Sequence, residues 1–293
     1  MPRTAPPRPL IGVGFMLAAM AILPFMDVLA KVMGQQGLPI LMVVWARAVF
    51  GGLMTLPFAL KAEGARAFRP ARPLHHLARA VLLFGATFLF FTALKHLPIA
   101  DAMAIFFVSP LVIVVLSALF LRERVGSRRW AAVAVGFLGT LIIIRPGMVE
   151  VNPGTLYALG AGLALGSYFV MTRAIAGASD AMVLTFQTSA IGAVVMTLAL
   201  PVLWHAPTPG QWAMLASLGV IATLGHFLIT KAYEEGEASL LAPLAFSEII
   251  MSTVVGWWFF GDLPDNWTVL GVTILVASAI YISVRERKAE SAE

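Results

Sequence analysis

Four ionisable side chains interrupt long apolar stretches of this sequence: Asp27, Arg47, His226 and Glu248. A charged group in mid-bilayer costs about 2.5–3.5 kcal/mol on insertion scales, so within an apolar span it suggests a function or a partner. Glu248 stands roughly 15 Å deep in its span, at 1.5 Å per residue. This depth has two interpretations. Glu248 is either a cavity carboxylate that binds an ammonium group or a proton, or a packing residue that is hydrogen-bonded between helices.

Asp27 and Arg47 lie roughly 10 and 12 Å deep in two consecutive spans, so they are expected to meet at similar depth. The pair is either a structural ion pair or an outer-gate or carboxylate-binding cluster. Lys31, four residues after Asp27 on the same helix, is interpreted as an anchor near the interface. His226 is a single histidine within a span, which favours packing, with a binding role as the alternative.

Uncharged residues form a second set of candidates. Ser109 and Pro110 lie in the middle of one span, where a proline leaves one backbone carbonyl without its hydrogen-bond donor. Either this carbonyl faces a cavity, or the proline only kinks the helix. Gln187 and Ser167 are polar residues on helices of the second half. Phe84, Phe88 and Phe91 share one helix face, which is typical of packing against lipid or helices and also suits a cavity for apolar or aromatic substrates.

Composition supplies the setting for these residues. The chain has 293 residues, of which 60% are hydrophobic and 12% are charged, whereas a soluble domain carries about 25% charged residues. Apolar runs of about 20 residues, each able to span a bilayer, follow one another closely. The sequence predicts an all-α polytopic membrane protein with ten spans, at roughly 10–34, 39–61, 74–94, 98–121, 127–144, 153–174, 181–204, 210–232, 238–260 and 266–284.

Positive charge predicts the orientation of these spans. With the N-terminus in the cytoplasm, 16 of the 20 Lys and Arg residues lie on or near that side, 3 lie on or near the other side, and Arg47 lies deep within a span. Both termini are therefore expected in the cytoplasm of a bacterial cell, with the protein in the inner membrane. The first apolar run is too long for a signal peptide, so it is expected to be retained as a helix.

The two halves of the chain share a faint repeat. A shift of 139 residues pairs Ala93 with Ala232 and Ser109 with Glu248. The hinge at 147–153 leaves five spans on each side, predicting units at 1–146 and 147–293. Because five is odd, the second unit inserts upside down, which is the inverted-repeat plan of secondary transporters around a central cavity.

Missing motifs exclude several functions. The chain has no cysteine, and it has no Gly-Lys pair, HExxH or GxSxG sequence, so ATP-driven pumping and common hydrolase chemistry are not expected. No acidic or histidine cluster at the membrane surface indicates an enzyme. No metal site, cofactor or nucleic-acid partner is expected, and a passive pore remains the alternative to a transporter.

The segment ALKHLPIADA at 93–102, Ser109-Pro110, LFLRE at 119–123 and GFLG at 136–139 resemble the drug/metabolite transporter superfamily. Within it the chain is similar to the ten-helix EamA-like family, and most like the branch that exports aromatic and other neutral amino acids. Arg47 matches a position where members often have arginine. The second copy departs from the pattern, because it lacks a proline where Pro110 maps and has Asp262 where the first copy has Glu123.

The resemblance implies an exporter of small metabolites by alternating access, with aromatic or other neutral amino acids as the leading substrates. Other substrates remain alternatives: a nucleoside, a sugar derivative, or a cationic drug such as a quaternary ammonium compound. A passive facilitator remains the alternative to a driven transporter. The expected partners are this small molecule and the lipid bilayer, with the proton as the candidate coupling ion. The expected assembly is a monomer or a weak dimer.

Overall fold

The computed structural model describes residues 9–120, 126–145, 152–174, 181–235 and 241–290, and throughout these ranges its regular structure is helical. Among the described residues, seven helical segments, of which Ile99–Phe120 is one, are long and apolar enough to cross a membrane, and three shorter apolar helices accompany them. A helix satisfies its own backbone hydrogen bonds, which a bilayer requires. The predicted all-α polytopic membrane class is thus supported, and the count of ten spans stays a prediction.

The helices are α1 (Pro9–Gln35), α2 (Ile40–Glu63), α3 (Pro73–Ala93), α4 (Ile99–Phe106), α5 (Ser109–Phe120), α6 (Ser127–Ile144), α7 (Pro153–Ala174), α8 (Ala181–Leu203), α9 (Pro209–Glu235), α10 (Ser247–Phe260) and α11 (Asn266–Glu290). Two 3₁₀ turns occupy Gly64–Phe68 and Ala242–Phe246. Glu123, half of the basic segment 122–129 and residues 147–151 of the predicted hinge at 147–153 lie outside the described residues.

The span predicted at 98–121 is broken into α4 and α5. Pro110 has no N–H for the carbonyl of Phe106, and the chain tightens there through bonds from the amides of Val108 and Leu111 to carbonyls three residues earlier. The freed Phe106 carbonyl lies against Gly162 of α7, where an added Cβ would come within 2.8 Å of it. The close approach of α7 to the break therefore depends on the absence of a side chain at Gly162.

Gly166, one turn further along α7, has the same relation to α5. A Cβ there would lie 2.9 Å from the Ser109 carbonyl oxygen and 2.7 Å from Val112. The small-residue pair Gly162 and Gly166 thus brings α7 into backbone contact with the broken helix, as GxxxG pairs do in membranes. Gly139 of α6 and Gly271 of α11 make a comparable close crossing.

Contacts between the two halves of the chain dominate the packing. Helix α1 packs on α9, α2 on α8, α3 on α7, and α6 on α11. Further pairs are α5 with α7, α1 with α10, α2 with α9, α3 with α8, and α4 with α10. The core lies between these helices, with Phe84, Phe91 and Leu218 among its fully buried side chains.

Polar contacts define one end of the bundle, here called the Gln35 end. The C-terminal ends of α1, α3, α6, α8 and α10 and the N-terminal ends of α2, α7, α9 and α11 lie at this end. The contacts that join them are Gln211 with Gln36, Asn152 with His96, His205 with Met42, Lys31 with Asp262, and Arg145 with Asp265. The opposite end, here called the Glu63 end, holds the end of α2 and the start of α8. There Gln187 donates to the carbonyl of Ala67.

Candidate functional site

An open cavity of about 320 Å³ lies between α2, α3, α7, α8 and α9. This volume falls at the lower end of the range for small-molecule sites. Its described wall combines Arg47 and His226 with hydroxyl groups and aromatic rings, namely Thr55, Thr185, Thr188, Ser189, Thr223, Thr230, Phe58, Phe84, Tyr168 and Phe227. Apolar surface predominates, and a few polar groups converge on it.

The cavity occupies only one half of the bundle. On α2 its wall begins at Arg47 and continues to Phe58, five residues before the helix ends at Glu63. On α8 it reaches Met182, which follows the first residue of that helix. The cavity therefore extends from mid-bundle towards the Glu63 end.

Arg47 is held at the deep end of the cavity by two neighbouring helices. One Nη donates to the hydroxyl of Thr87 on α3, and the other lies 3.2 Å from Nε2 of His226 on α9. A guanidinium only donates, so Nε2 of His226 accepts and the ring hydrogen lies on Nδ1. Two of the five guanidinium donors are used in this way, and the others are available to an acceptor in the cavity.

The threonine hydroxyls of the wall are oriented by their own helices. Thr188 donates to the carbonyl of Leu184 at 2.8 Å, and Thr223 to that of Gly219 at 2.8 Å. Thr55 donates to the carbonyl of Gly51 at 2.7 Å. Since each hydroxyl spends its single hydrogen on the backbone, it presents lone pairs to the cavity. The wall is therefore suited to a ligand that carries hydrogen-bond donors.

Asp27 and Glu248 lie beside the cavity rather than among its described wall residues. Asp27 is 1% exposed, and its Oδ1 has no hydrogen-bond partner among the described residues. Its carboxyl interacts electrostatically with both Glu248 and Arg47. Asp27 thus connects Glu248 to Arg47, and Arg47 in turn contacts His226, the fourth ionisable residue singled out in the sequence.

Lys31 does not pair with Asp27. Its Nζ lies 2.9 Å from Oδ2 of Asp262, donates to the carbonyl of Leu97 at 3.2 Å and sits over the ring of Phe260. The side chain is 8% exposed. Lys31 is thus a partly buried cross-link between α1 and the end of α10, and not the free interfacial anchor that the sequence suggested.

A second ion pair closes the same end of the bundle. Arg145, after α6, lies 2.7 Å from Asp265, which precedes α11 and accepts from the amide of Thr268. Partial burial acts to raise the pKa of Asp265, but the hydrogen bonds from Thr268 and the charge of Arg145 outweigh it and place this pKa below its ordinary value. Asp101, at the start of α4, interacts with the same charges.

Several predicted residues lie away from the cavity wall. Ser109 is 6% exposed and its backbone packs on α7 beside Pro110, at the helix break. Gln187 is 4% exposed and bonds to Ala67, so it fixes the 3₁₀ turn. Ser167 donates to the carbonyl of Leu163 on its own helix. These contacts are structural, and the structure does not bring these residues to the wall.

The three phenylalanines of α3 have three different environments. Phe84 is 2% exposed, lines the cavity and packs its ring on Gly192 of α8. Phe88 is 36% exposed, and Phe91 is 1% exposed within the core. Residues spaced i, i+4 and i+7 do not all point in the same direction from a helix. The face predicted for them is therefore wide enough to contact both lipid and the protein core. Only Phe84 of the three contributes to the described wall.

Tyr168 and the wall threonines were missed by sequence reasoning. Tyr168 directly follows Ser167, the predicted residue, and faces the cavity in its place. A tyrosine in an apolar span is a signal that could have been used, because its hydroxyl needs a partner when buried. Threonine gives no such signal, since its hydroxyl can bond to the preceding turn wherever it points.

Apolar helices of membrane-spanning length around an open cavity with a cation at its deep end define an integral membrane transporter. The EamA-like transporter family model matches residues 10–145 and again 152–284. The chain therefore belongs to the EamA-like transporter family. In the residues that the structure describes, no three acidic or histidine side chains come together in a way that could hold a metal ion.

Named relatives are transporters of different metabolites. The chain is 28% identical to an S-adenosylmethionine uptake transporter of Rickettsia bellii over 96% of both chains. It is 31% identical to a riboflavin transporter of Vibrio cholerae, over 96% of this chain and 95% of that one. It is 29% identical to the pseudopaline exporter CntI of Pseudomonas aeruginosa, over 94% of this chain and 97% of that one. These names point to transporters and not enzymes, as the sequence predicted.

A solved crystal structure has the same fold. It superposes with a TM-score of 0.62 over 93% of this chain and 99% of its own, at 20% identity. Family, relatives and apolar helices together describe a multi-pass bacterial membrane protein that transports a small molecule. The branch that exports amino acids is not distinguished by these similarities.

Proposed function

We propose that this protein is a secondary transporter of small organic metabolites that works by alternating access across the inner membrane. The observation that carries the proposal is the cavity itself. It holds Arg47 at mid-bundle and extends to the Glu63 end, while Lys31 with Asp262 and Arg145 with Asp265 bridge the Gln35 end. A site reached from one side and bridged on the other is one state of an alternating-access cycle.

The helix contacts support an inverted repeat as the basis of this cycle. Exchanging the units 1–146 and 147–293 turns the contact of α1 with α9 into that of α7 with α3, and the contact of α5 with α7 into that of α10 with α1. The contacts of α2 with α8 and of α6 with α11 map onto themselves. In this proposal, rocking of one five-helix unit on the other exchanges the open end.

The distribution of Lys and Arg supports placing the Glu63 end in the cytoplasm, with both termini on that side. The described cavity then faces the cytoplasm. This is the state in which an exporter loads its substrate and an importer releases it. Since the named relatives include both an uptake transporter and an exporter, the direction of transport is to be measured.

The proposed substrate carries an acidic group that Arg47 binds, together with donors that reach the threonine oxygens. In the residues described, Arg47 is the charged group of the cavity wall. An α-amino acid meets this requirement through its carboxylate and ammonium group, which keeps aromatic and other neutral amino acids as candidates. S-adenosylmethionine contains the same two groups and is a candidate too, whereas riboflavin offers hydroxyl and imide donors for the threonine oxygens but has no acidic group for Arg47.

Asp27 and Glu248 are the proposed coupling groups, with the proton as the coupling ion. Their support is positional, because both carboxyls are close enough to interact and Asp27 also acts on Arg47. A proton taken up there removes negative charge beside Arg47, which would strengthen the hold of Arg47 on an acidic group, and loss of the proton would favour release of that group. His226, bonded to Arg47, belongs to the same network.

The test is flux in proteoliposomes with a panel of S-adenosylmethionine, riboflavin, and aromatic and neutral amino acids, with and without a pH gradient. We expect saturable flux of at least one compound. Arg47→Gln should reduce this flux about 10- to 100-fold, the usual worth of a hydrogen bond to a charged group. Arg66→Gln, on the exposed 3₁₀ turn at the Glu63 end, is the control and should leave it unchanged. Flux that does not saturate would indicate a passive pore instead.

A further inference from the structure

Tyr168 lies in the cavity wall close to two arginines, Arg47 and Arg79. Its ring contributes to the wall, and its electrostatic interaction with the Arg47 guanidinium places the two groups near each other. Arg79 also lies over the ring of this residue, with Cζ 5.5 Å from the ring centroid. The tyrosine therefore neighbours both the cation of the cavity and a second, buried cation.

Arg79 is fixed by contacts that also lead to Tyr168. Its Nε donates to the hydroxyl of Thr172 at 3.0 Å, and that hydroxyl donates to the carbonyl of Tyr168 at 2.8 Å. The arginine is 2% exposed, and its Nη1 has no hydrogen-bond partner among the residues that the structure describes. A buried cation with an unused donor is costly in an apolar interior, so its retention calls for a role besides packing.

A cation stacked on an aromatic ring restrains the ring's orientation as well as stabilising it. Arg79 lies one helical turn from Leu83, and Thr172 lies one turn from Tyr168; Leu83 and Tyr168 both belong to the cavity wall. The pair Arg79 and Thr172 thus supports the wall from just outside it, towards the Glu63 end. Phe84, packed on Gly192, is a second aromatic residue in the wall.

We propose that Tyr168 recognises a planar aromatic ring in the substrate, and that Arg79 and Thr172 position Tyr168 for this contact. The inference rests on the proposed function and adds a ring to the acidic group bound by Arg47. The substrate class becomes ring-bearing organic acids. Arg79 acts through Tyr168 and does not touch the substrate.

Paired acids of similar size and charge test the ring contact. Phenylacetate and cyclohexylacetate share a carboxylate and a six-membered ring but differ in aromatic character, and their dissociation constants can be measured on the purified protein by isothermal titration calorimetry. The wild type is expected to bind phenylacetate about two- to tenfold more tightly, which is the range for aromatic pairs. Tyr168→Phe should keep this ratio, and Tyr168→Leu should bring it to about one.

Phe169→Leu is the matched control, because Phe169 is the next residue on α7, is 45% exposed and lies outside the described wall. It should leave the ratio unchanged. Thr172→Val and Arg79→Lys test the positioning role, and both should lower the ratio while cyclohexylacetate binding stays constant. Thr172→Val is the milder change and serves if Arg79 variants do not fold.

The outcomes separate this inference from the proposed function. A wild type that binds neither acid, or binds both equally, overturns the inference, and so does an unchanged ratio in Tyr168→Leu. The proposed function fails on a different result, namely the absence of saturable flux across the transport panel. Loss of the ratio in Tyr168→Leu with its retention in Tyr168→Phe supports the ring contact.

Discussion

Asp27 and Glu248 come from opposite halves of the sequence, yet their carboxyls interact inside the bundle. Asp27 is on α1 and Glu248 is at the start of α10, which are helices in contact. In the repeat predicted from the sequence, the position equivalent to Glu248 is Ser109, a buried residue at the helix break. Asp27 acts on Arg47 and on Glu248, and neither carboxyl belongs to the described cavity wall.

Glu248→Gln is predicted to abolish the dependence of transport on a pH gradient, because the amide cannot exchange a proton. Its shape and hydrogen-bonding capacity remain, so substrate binding should change by less than about threefold. The measurement is flux in proteoliposomes at several internal and external pH values. Glu63→Gln, at the C-terminal end of α2, is the control. Unaltered rate and pH dependence in Glu248→Gln would remove this carboxyl from the mechanism.

At the residue level, the sequence identified the side chains whose burial in a membrane costs free energy. Arg47 and His226 were found because an ionisable group in an apolar span stands out, and the structure brings them into contact. Thr188 and Tyr168 could not be placed on the wall, since the direction in which a helix faces depends on its neighbours. Gln187 was a polar candidate that the structure instead uses to hold a turn.

Helix α7 shows how a pair of glycines determines the position of an entire element. Gly162 faces Val108 and the carbonyl of Phe106, so the broken helix of α4 and α5 can approach its backbone. A GxxxG pair such as Gly162 and Gly166 is typical of close helix crossings in membranes. The spacing alone does not identify the partner, because that helix lies in the other half of the chain.

Gly162→Ala is predicted to destabilise the protein by about 1–3 kcal/mol, the usual cost of overpacking. The new Cβ would lie 2.6 Å from Val108 and 2.8 Å from a backbone carbonyl, and a carbonyl cannot move aside cheaply. Gly160→Ala on the same helix is the control, since its Cβ meets only Leu89 at 3.4 Å. Thermal unfolding in detergent compares them. Equal melting temperatures would contradict the close approach.

The link between α6 and α11 should depend on pH. Asp265→Asn keeps an acceptor for the Thr268 amide but loses the charge that faces Arg145. The folded-state pKa of Asp265 is lowered, so its contribution to stability is present above the unfolded value of about 3.9 and is lost as the pH falls through the folded value.

Melting temperatures measured from pH 3 to 7 test this link. The wild type should melt slightly higher than Asp265→Asn near neutral pH, since exposed pairs contribute little. The difference should vanish at the acidic end. Arg145→Gln should remove the same increment, and the double variant should lose no more than either single change. A difference that is constant with pH would count against the ion pair.

For the whole molecule, composition and charge patterning predicted the class of protein. The low share of charged residues indicated a polytopic membrane protein, and the described apolar helices and the family match agree with it. The cavity could not be predicted as a volume, because it arises where α2, α3, α7, α8 and α9 fail to fill the space between them. The substrate is even harder to predict from the sequence, since similar chains transport different metabolites.

Lys31 and Asp262 are central to the state that the molecule adopts. They join α1 to the end of α10 at the Gln35 end, and removing both charges should weaken this closure. The double variant Lys31→Gln, Asp262→Asn should therefore spend more time with the Gln35 end open. The exchanged pair Lys31→Asp, Asp262→Lys should restore part of the wild-type behaviour.

Cysteine accessibility tests alternating access most directly, because the natural chain has no cysteine and an introduced thiol is the sole one. Met54 is 37% exposed and lines the cavity, whereas Leu53 beside it is 59% exposed but lies outside the described wall. In oriented vesicles, Met54→Cys should react with a membrane-impermeant thiol reagent from the cytoplasmic side. Adding Lys31→Gln with Asp262→Asn should raise its reaction from the outer side, and Leu53→Cys should react from neither. Reaction of Met54→Cys from both sides at equal rates, unaffected by the double change, would contradict a cavity that opens to one side at a time.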